Sequence, residues 1–184
     1  MTTPDADPLD APTAALAAAV LEVARHLEDE PLPAPRLFAL ARSAELTAAS
    51  PALAALLGAD GAGADAPDDL HLTPIDLDEG PTGEPADSAP RQDPLAALQE
   101  VQWPDLAAGG ALACDLAPSA WALRDGVGET ELPAGRPLRV VVAALADGTT
   151  WSAVHRGDEE GYVLGAALLP DLSAALVQTL TSDA

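Results

Sequence analysis

Residues Leu138–Leu145 read LRVVVAAL, with seven apolar residues, one arginine and no polar alternation. Side chains of a strand alternate between two faces, so a strand that is apolar throughout is buried on both. The stretch Arg136–Ala146 is therefore expected to be the central strand of a sheet. Such a strand fixes much of the rest of the fold. It demands neighbours along its edges and a covering layer on each face.

The flanking sequence supplies the neighbours. Asp147-Gly148 in ADGTT is a hairpin signal, and Thr149–Arg156 returns as the partner strand. GDEEG makes a further turn before a short strand at Tyr162–Leu164. Gly110–Leu116 reads as another strand. Leu70–Leu77, LHLTPIDL, carries Pro74, which cannot donate to a ladder and confines the segment to a sheet edge.

The cover is helical. Asp10 is positioned to cap a helix with Pro12 in its first turn. Leu16, Val20, Val23 and Leu27 then recur at helical spacing. A second helix is expected from about Pro35, with Leu37, Leu40, Ala41 and Ala44 on one side, packed antiparallel to the first. On that helix Arg36 and Arg42 project in different directions. SPALAALLG (Ser50–Gly58) reads as a short capped helix ending on glycine. Asp93-Pro94 opens another, with Leu95, Leu98 and Val101 inward. The last helix, about Pro170–Thr181, carries Leu172, Leu176 and Leu180.

These elements predict an α+β fold in which N-terminal helices and a C-terminal helix pack on a small, mainly antiparallel sheet. The helix faces are expected to meet the sheet at Val140, Val142 and Val154, or the last helix at Leu172 and Leu176. Residues 1–9 read as a disordered tail and 10–182 as a single domain. Residues 59–92 read as a flexible acidic insertion, because 59–93 holds ten acids and one base, Arg91, too little apolar area to order itself. Aromatic residues make up only 3% of the 184-residue chain, so aliphatic side chains and alanine must build the core.

The formal net charge is -22, from 30 acids against 8 bases, all of them arginine. Such a charge favours solubility and repels nucleic acid and anionic membranes, while attracting a basic partner. No basic leader with an apolar run is present at the N-terminus, and no long uncharged apolar run suggests a span. The cytoplasm is the expected location, with no membrane insertion and no direct nucleic-acid binding.

Chemistry-bearing motifs are few. The single cysteine, Cys114, sits among small apolar residues in a strand and reads as buried. His26, His71 and His155 lack metal-ligand spacing. GADGAG (Gly58–Gly63) is glycine-rich, but no strand feeds it, as a phosphate cradle requires. DLDEG does not match a calcium loop in ligand or glycine position. No cofactor and no metal are expected. Trp103 and Trp151 read as core anchors. Trp121 stands in the irregular PSAWALRDG as a binding anchor or a core residue, since tryptophan is enriched at binding hot spots.

Three stretches carry a family resemblance. They are PRLFALARSAELTAASPALAALLG, VQWPDLAAGGALACDLAPS, and LRVVVAALADGTTWSAVHRGDE with LLPDLSAALVQTL. The pattern from Arg36 to Leu46, Trp103-Pro104 and Asp147-Gly148 resemble the small acidic actinobacterial proteins of unknown function that are named after a propionibacterial prototype. The resemblance implies a bacterial cytoplasmic setting and one domain, and brings no catalytic residue with it.

The expected function is a non-catalytic protein-binding module, a chaperone, adaptor or regulator, with Arg36, Arg42, Trp121, His155 and Arg156 as the candidate partner-binding residues. The expected partner is a protein, for which a basic one suits the acidic surface, or a second copy in a homodimer. Two alternatives stand beside it. One is an enzyme whose site gathers Arg36, Arg42, His155 and Arg156 around a small anion. The other is an acidic mimic of nucleic acid.

Overall fold

The computed structural model describes residues 9–50, 52, 70–77, 93–116, 123–124, 129–130, 138–155, 161–166 and 168–182. The tail through residue 8, the acidic stretch 78–92, most of the Ser50–Gly58 segment, Trp121 and Arg156 lie outside the described residues.

In chain order the elements are α1 (Ala11–His26), β1 (Arg36–Arg42), α2 (Ser43–Ala49), β2 (Leu72–Asp76), α3 (Pro94–Gln99), β3 (Ala107–Leu116), β4 (Leu123–Arg124), β5 (Glu129–Thr130), β6 (Leu138–Leu145), β7 (Thr150–His155), β8 (Tyr162–Gly165) and α4 (Pro170–Ser182). Six strands form one sheet in the order β2-β1-β3-β6-β7-β8, and β4 pairs with β5 separately. Every pairing is antiparallel. The fold is α+β, and β6 is an interior strand, as its two apolar faces require.

Helix α1 starts as its sequence dictates. Asp10 accepts a hydrogen bond from the Thr13 amide and Pro12 stands in the first turn. It lies on one face of the sheet, where Leu16, Val20, Val23 and Leu27 meet Phe38, Leu40, Val141 and Ala153. The opposite face holds Leu112, Val140, Val142 and Val154 under Leu98 of α3 and Leu172 and Leu176 of α4. Val140, Val142 and Val154 thus face the C-terminal helix rather than α1. Side chains of one strand alternate in direction, so α1 takes the intervening residues Val141, Ala143 and Ala153.

The helix expected from Pro35 is not one. Arg36–Arg42 is strand β1, hydrogen-bonded between β2 and β3, and the helix begins only at Ser43. Leu37 to Ala41 are all buried. An unbroken apolar run satisfies a helix face and a doubly buried strand equally well by period alone. Here pairing on both edges overrides the helix preference of leucine and alanine. The change matters for the arginines. Residues six apart on a strand share a face, so Arg36 and Arg42 lie on the α1 side, at opposite ends of β1.

The strands and helices expected elsewhere fall where the sequence places them, while the short pair β4–β5 arises in a stretch read as irregular. Pro74 lies in edge strand β2, Asp93 caps α3 through the Leu95 amide, and Leu172, Leu176 and Leu180 are the buried leucines of α4. The β6–β7 turn uses Gly148 at φ 91, a conformation that glycine adopts without steric cost. A register shift between Leu40 and Ala41 opposite β3 marks a bulge. Next to it Gly110 leaves room for Trp103, whose ring would stand 2.4 Å from an added Cβ. The Trp103 indole N–H donates to Thr179 Oγ1 at 3.1 Å, joining the segment before β3 to α4.

Candidate functional site

One charged residue interrupts the apolar pattern of β3, Asp115, and one interrupts β6, Arg139. They are cross-strand partners, and the register continues to His155 on β7 and Tyr162 on β8. Asp115, Arg139, His155 and Tyr162 therefore form one polar row across four adjacent strands. The row lies on the α1 side, at the end of the sheet where α1 terminates.

The row is tied together and to the helix. Arg139 Nε donates to Asp115 Oδ1 at 2.9 Å, and Nη2 donates to Oδ2 at 3.1 Å. This is the two-pronged geometry that guanidinium makes with carboxylate. Arg139 Nη1 donates to the carbonyls of Leu27 and Glu28. Tyr162 Oη donates to the Ala24 carbonyl at 3.2 Å. A helix end leaves its last carbonyls without intrahelical donors and carries partial negative charge. Arg139 and Tyr162 supply both the donors and a positive charge. The hydrogen bond to Asp115 raises the Arg139 pKa above its already high ordinary value. The rings of His155 and Tyr162 meet edge to face at 5.0 Å between centroids.

Between this row and the turn after α1 opens a cleft of about 400 Å³, lined by Glu28, Asp29, Glu30, Pro31, Asp115, Arg139, His155 and Tyr162. Glu28, Asp29 and Glu30 are exposed. Burial, and then the negative charge of Glu28, push the Tyr162 hydroxyl above the ordinary phenol value. Arg36 borders the cleft by donating to Glu30 at 2.6 Å and also binds Asp76 of β2. Its guanidinium stands 5.7 Å from the Phe38 ring centroid, within cation–π range.

Of the candidate residues, His155 lines the cleft and Arg36 borders it. Arg42 is at the far end of β1, about 20 Å along the strand at its usual rise, with Nε 4.0 Å from Glu45 Oε1. Trp121 and Arg156 are outside the described residues. Asp115, Arg139, Tyr162 and the acidic turn Glu28–Glu30 join the site without being among the sequence candidates. Lone opposite charges in two apolar strands were the available signal, since each needs a partner if it is not to be buried unpaired.

A second polar cluster lies at the other end of the α1 side. Ser43 Oγ stands 2.6 Å from His71 Nδ1 and 2.7 Å from Thr73 Oγ1, fastening the start of α2 to β2. A groove of about 270 Å³ beside it is lined by alanines of α1 with Glu22, His71 and Leu72. Cys114 is buried on the α4 side of the sheet, and burial pushes its thiol pKa to about 12. A thiol this reluctant to ionise is not a nucleophile at neutral pH. Among the described residues no group of three or more His, Cys, Asp or Glu is placed to hold a metal ion. No helix among them is long and apolar enough to cross a membrane.

The family model for PPA1309-like protein matches residues 16–181. The chain belongs to the PPA1309-like protein family. No curated protein and no solved structure matches it. The family match runs from the buried face of α1 through α4, and so takes in every residue lining the cleft of this PPA1309-like chain.

Proposed function

We propose that this PPA1309-like protein is a non-catalytic, cytoplasmic protein-binding module, an adaptor, chaperone or regulator, that receives a basic element of its partner at the acidic cleft. The observation that supports this reading is the division of labour inside the cleft. Asp115 and Arg139 hold each other, and Arg139 and Tyr162 hold the end of α1, which leaves the exposed carboxylates of Glu28 and Asp29 to meet solvent. A cleft walled by carboxylates at the negative end of a helix attracts cations. For the same reason it is a poor site for a small anion, and the arginines of that alternative stand at opposite ends of β1.

The test is calorimetric titration of the full chain with a lysine-rich peptide. The double variant Glu28→Gln/Asp29→Asn is the probe, and Asp105→Asn, an exposed acid elsewhere, is the control. The reading expects binding by the wild type and the control, with the double variant weakened by on the order of tenfold. Equal affinity for all three proteins contradicts it.

A further inference from the structure

We propose that the outer edge of β8 takes an extended, basic segment of a partner protein as an added strand, and that a cationic side chain of that segment enters the cleft beside Tyr162. The proposal rests on the protein-binding reading above and specifies its mode.

The two edges of the sheet are not alike. Exposed strand edges invite pairing by foreign chains, and proteins guard them with proline, charge or cover. The β2 edge contains Pro74 and the carboxylate of Asp76, which Arg36 binds. The β8 edge reads Tyr162, Val163, Leu164, Gly165, with neither proline nor charge, and Leu164 is 42% exposed. Among the described residues no strand pairs with its outer side.

The polar row gives the direction of the chemistry. Asp115, Arg139, His155 and Tyr162 occupy successive strands at one register level. An added strand would lie about 4.8 Å beyond β8. Its residue at that level would stand beside the Tyr162 ring on the side of α1, at the end of the cleft that Tyr162 lines together with Glu28. A lysine or arginine there meets carboxylates and an aromatic face together. Main-chain pairing gives such a complex its affinity, and alternate side chains give it specificity.

A second copy of this chain suits the edge poorly. Its own β8 offers no cation to the cleft, and two chains of net charge -22 repel each other.

The probes are an octapeptide of alternating lysine and valine and the same peptide N-methylated at every residue. N-methylation keeps the charge but removes the amide donors. The expected result is that the unmodified peptide binds, slows amide hydrogen exchange in β8, and loses on the order of tenfold or more in affinity on N-methylation. Leu164→Lys, at an exposed position, is expected to cause a similar loss with unchanged thermal melting. Equal binding of both peptides overturns strand addition and leaves the protein-binding reading intact. Failure of both to bind at low salt overturns the two together. A dimer in sedimentation that Leu164→Lys dissolves assigns the edge to a second copy and overturns the proposal.

Discussion

Arg139 grips Asp115 through two hydrogen bonds of 2.9 and 3.1 Å and turns its remaining nitrogen to the carbonyls that end α1. One side chain thus joins β3, β6 and α1. Replacing it with alanine leaves a carboxylate and helix carbonyls without their donor. Arg139→Ala is expected to cost about 1–3 kcal/mol, the range for losing hydrogen bonds to a charged group. Arg139→Lys is expected to recover little, because an ammonium cannot reproduce the planar fork. Urea unfolding measures both. Hydrogen exchange should show the Ala24–Leu27 turn opening first. Unchanged exchange in that turn would mean the arginine is not the helix anchor.

Gly110 and Trp103 pack closely on the opposite face. A methyl at Gly110 would fall 2.4 Å from the indole, so Gly110→Ala must displace the ring and strain the bulged strand. Overpacking of this kind costs about 1–3 kcal/mol. Trp103→Phe keeps most of the ring but loses the bond to Thr179, at about 1 kcal/mol. Thermal melting ranks the two. A Gly110→Ala protein as stable as the wild type would contradict the contact.

Cys114 gives the chain an alkaline weakness. Its thiol pKa is raised from 9.0 to about 12 by burial and then by Asp115. Below pH 9 both folded and unfolded chains keep the proton, and the thiol has no effect on stability. Between pH 9 and about 12 the unfolded chain releases it while the folded chain does not, so stability falls as pH rises. Cys114→Ala removes this slope. Comparison of wild type and variant by denaturant unfolding from pH 8 to 10.5 should show their stabilities diverging only above about pH 9. Parallel curves would place the thiol in water.

Val23 is 2% exposed and packs on the α1 side of the sheet. If that contact holds both halves of the chain together, Val23→Asp buries an unpaired charge at a cost of several kcal/mol, about 3 or more. The amides of β6 and β7 are then expected to lose protection along with those of α1. Strand amides that stay protected in the variant would show that the helix and the sheet fold independently.

Much of this architecture was legible as sequence. LRVVVAAL announced an interior strand, Asp10-Pro12 and Asp93-Pro94 announced helix starts, and Pro74 announced an edge. Arg36–Arg42 was not legible, because its apolar run fits either period and only the strands on its two sides decide. The pairing of Val141 rather than Val140 with α1 was equally hidden, since both residues are valine and the choice of face depends on where the helix docks. The cleft was half visible. His155 and Arg36 stood out as rare basic residue types, but the row that includes Asp115, Arg139 and Tyr162 exists only once β3 and the three strands β6, β7 and β8 are in register.

Everything proposed for the cleft depends on basic partners binding at the end of α1. Amide chemical-shift mapping of the full chain during titration with the lysine–valine octapeptide tests it most directly. The largest shifts are expected at Glu28, Asp29, Glu30, Arg139, His155 and Tyr162, extending along β8, and fading as salt shortens the Debye length from about 30 Å at 0.01 M to about 3 Å at 1 M. Shifts centred instead on the alanine groove between α1 and β2, or none at low salt, would contradict it.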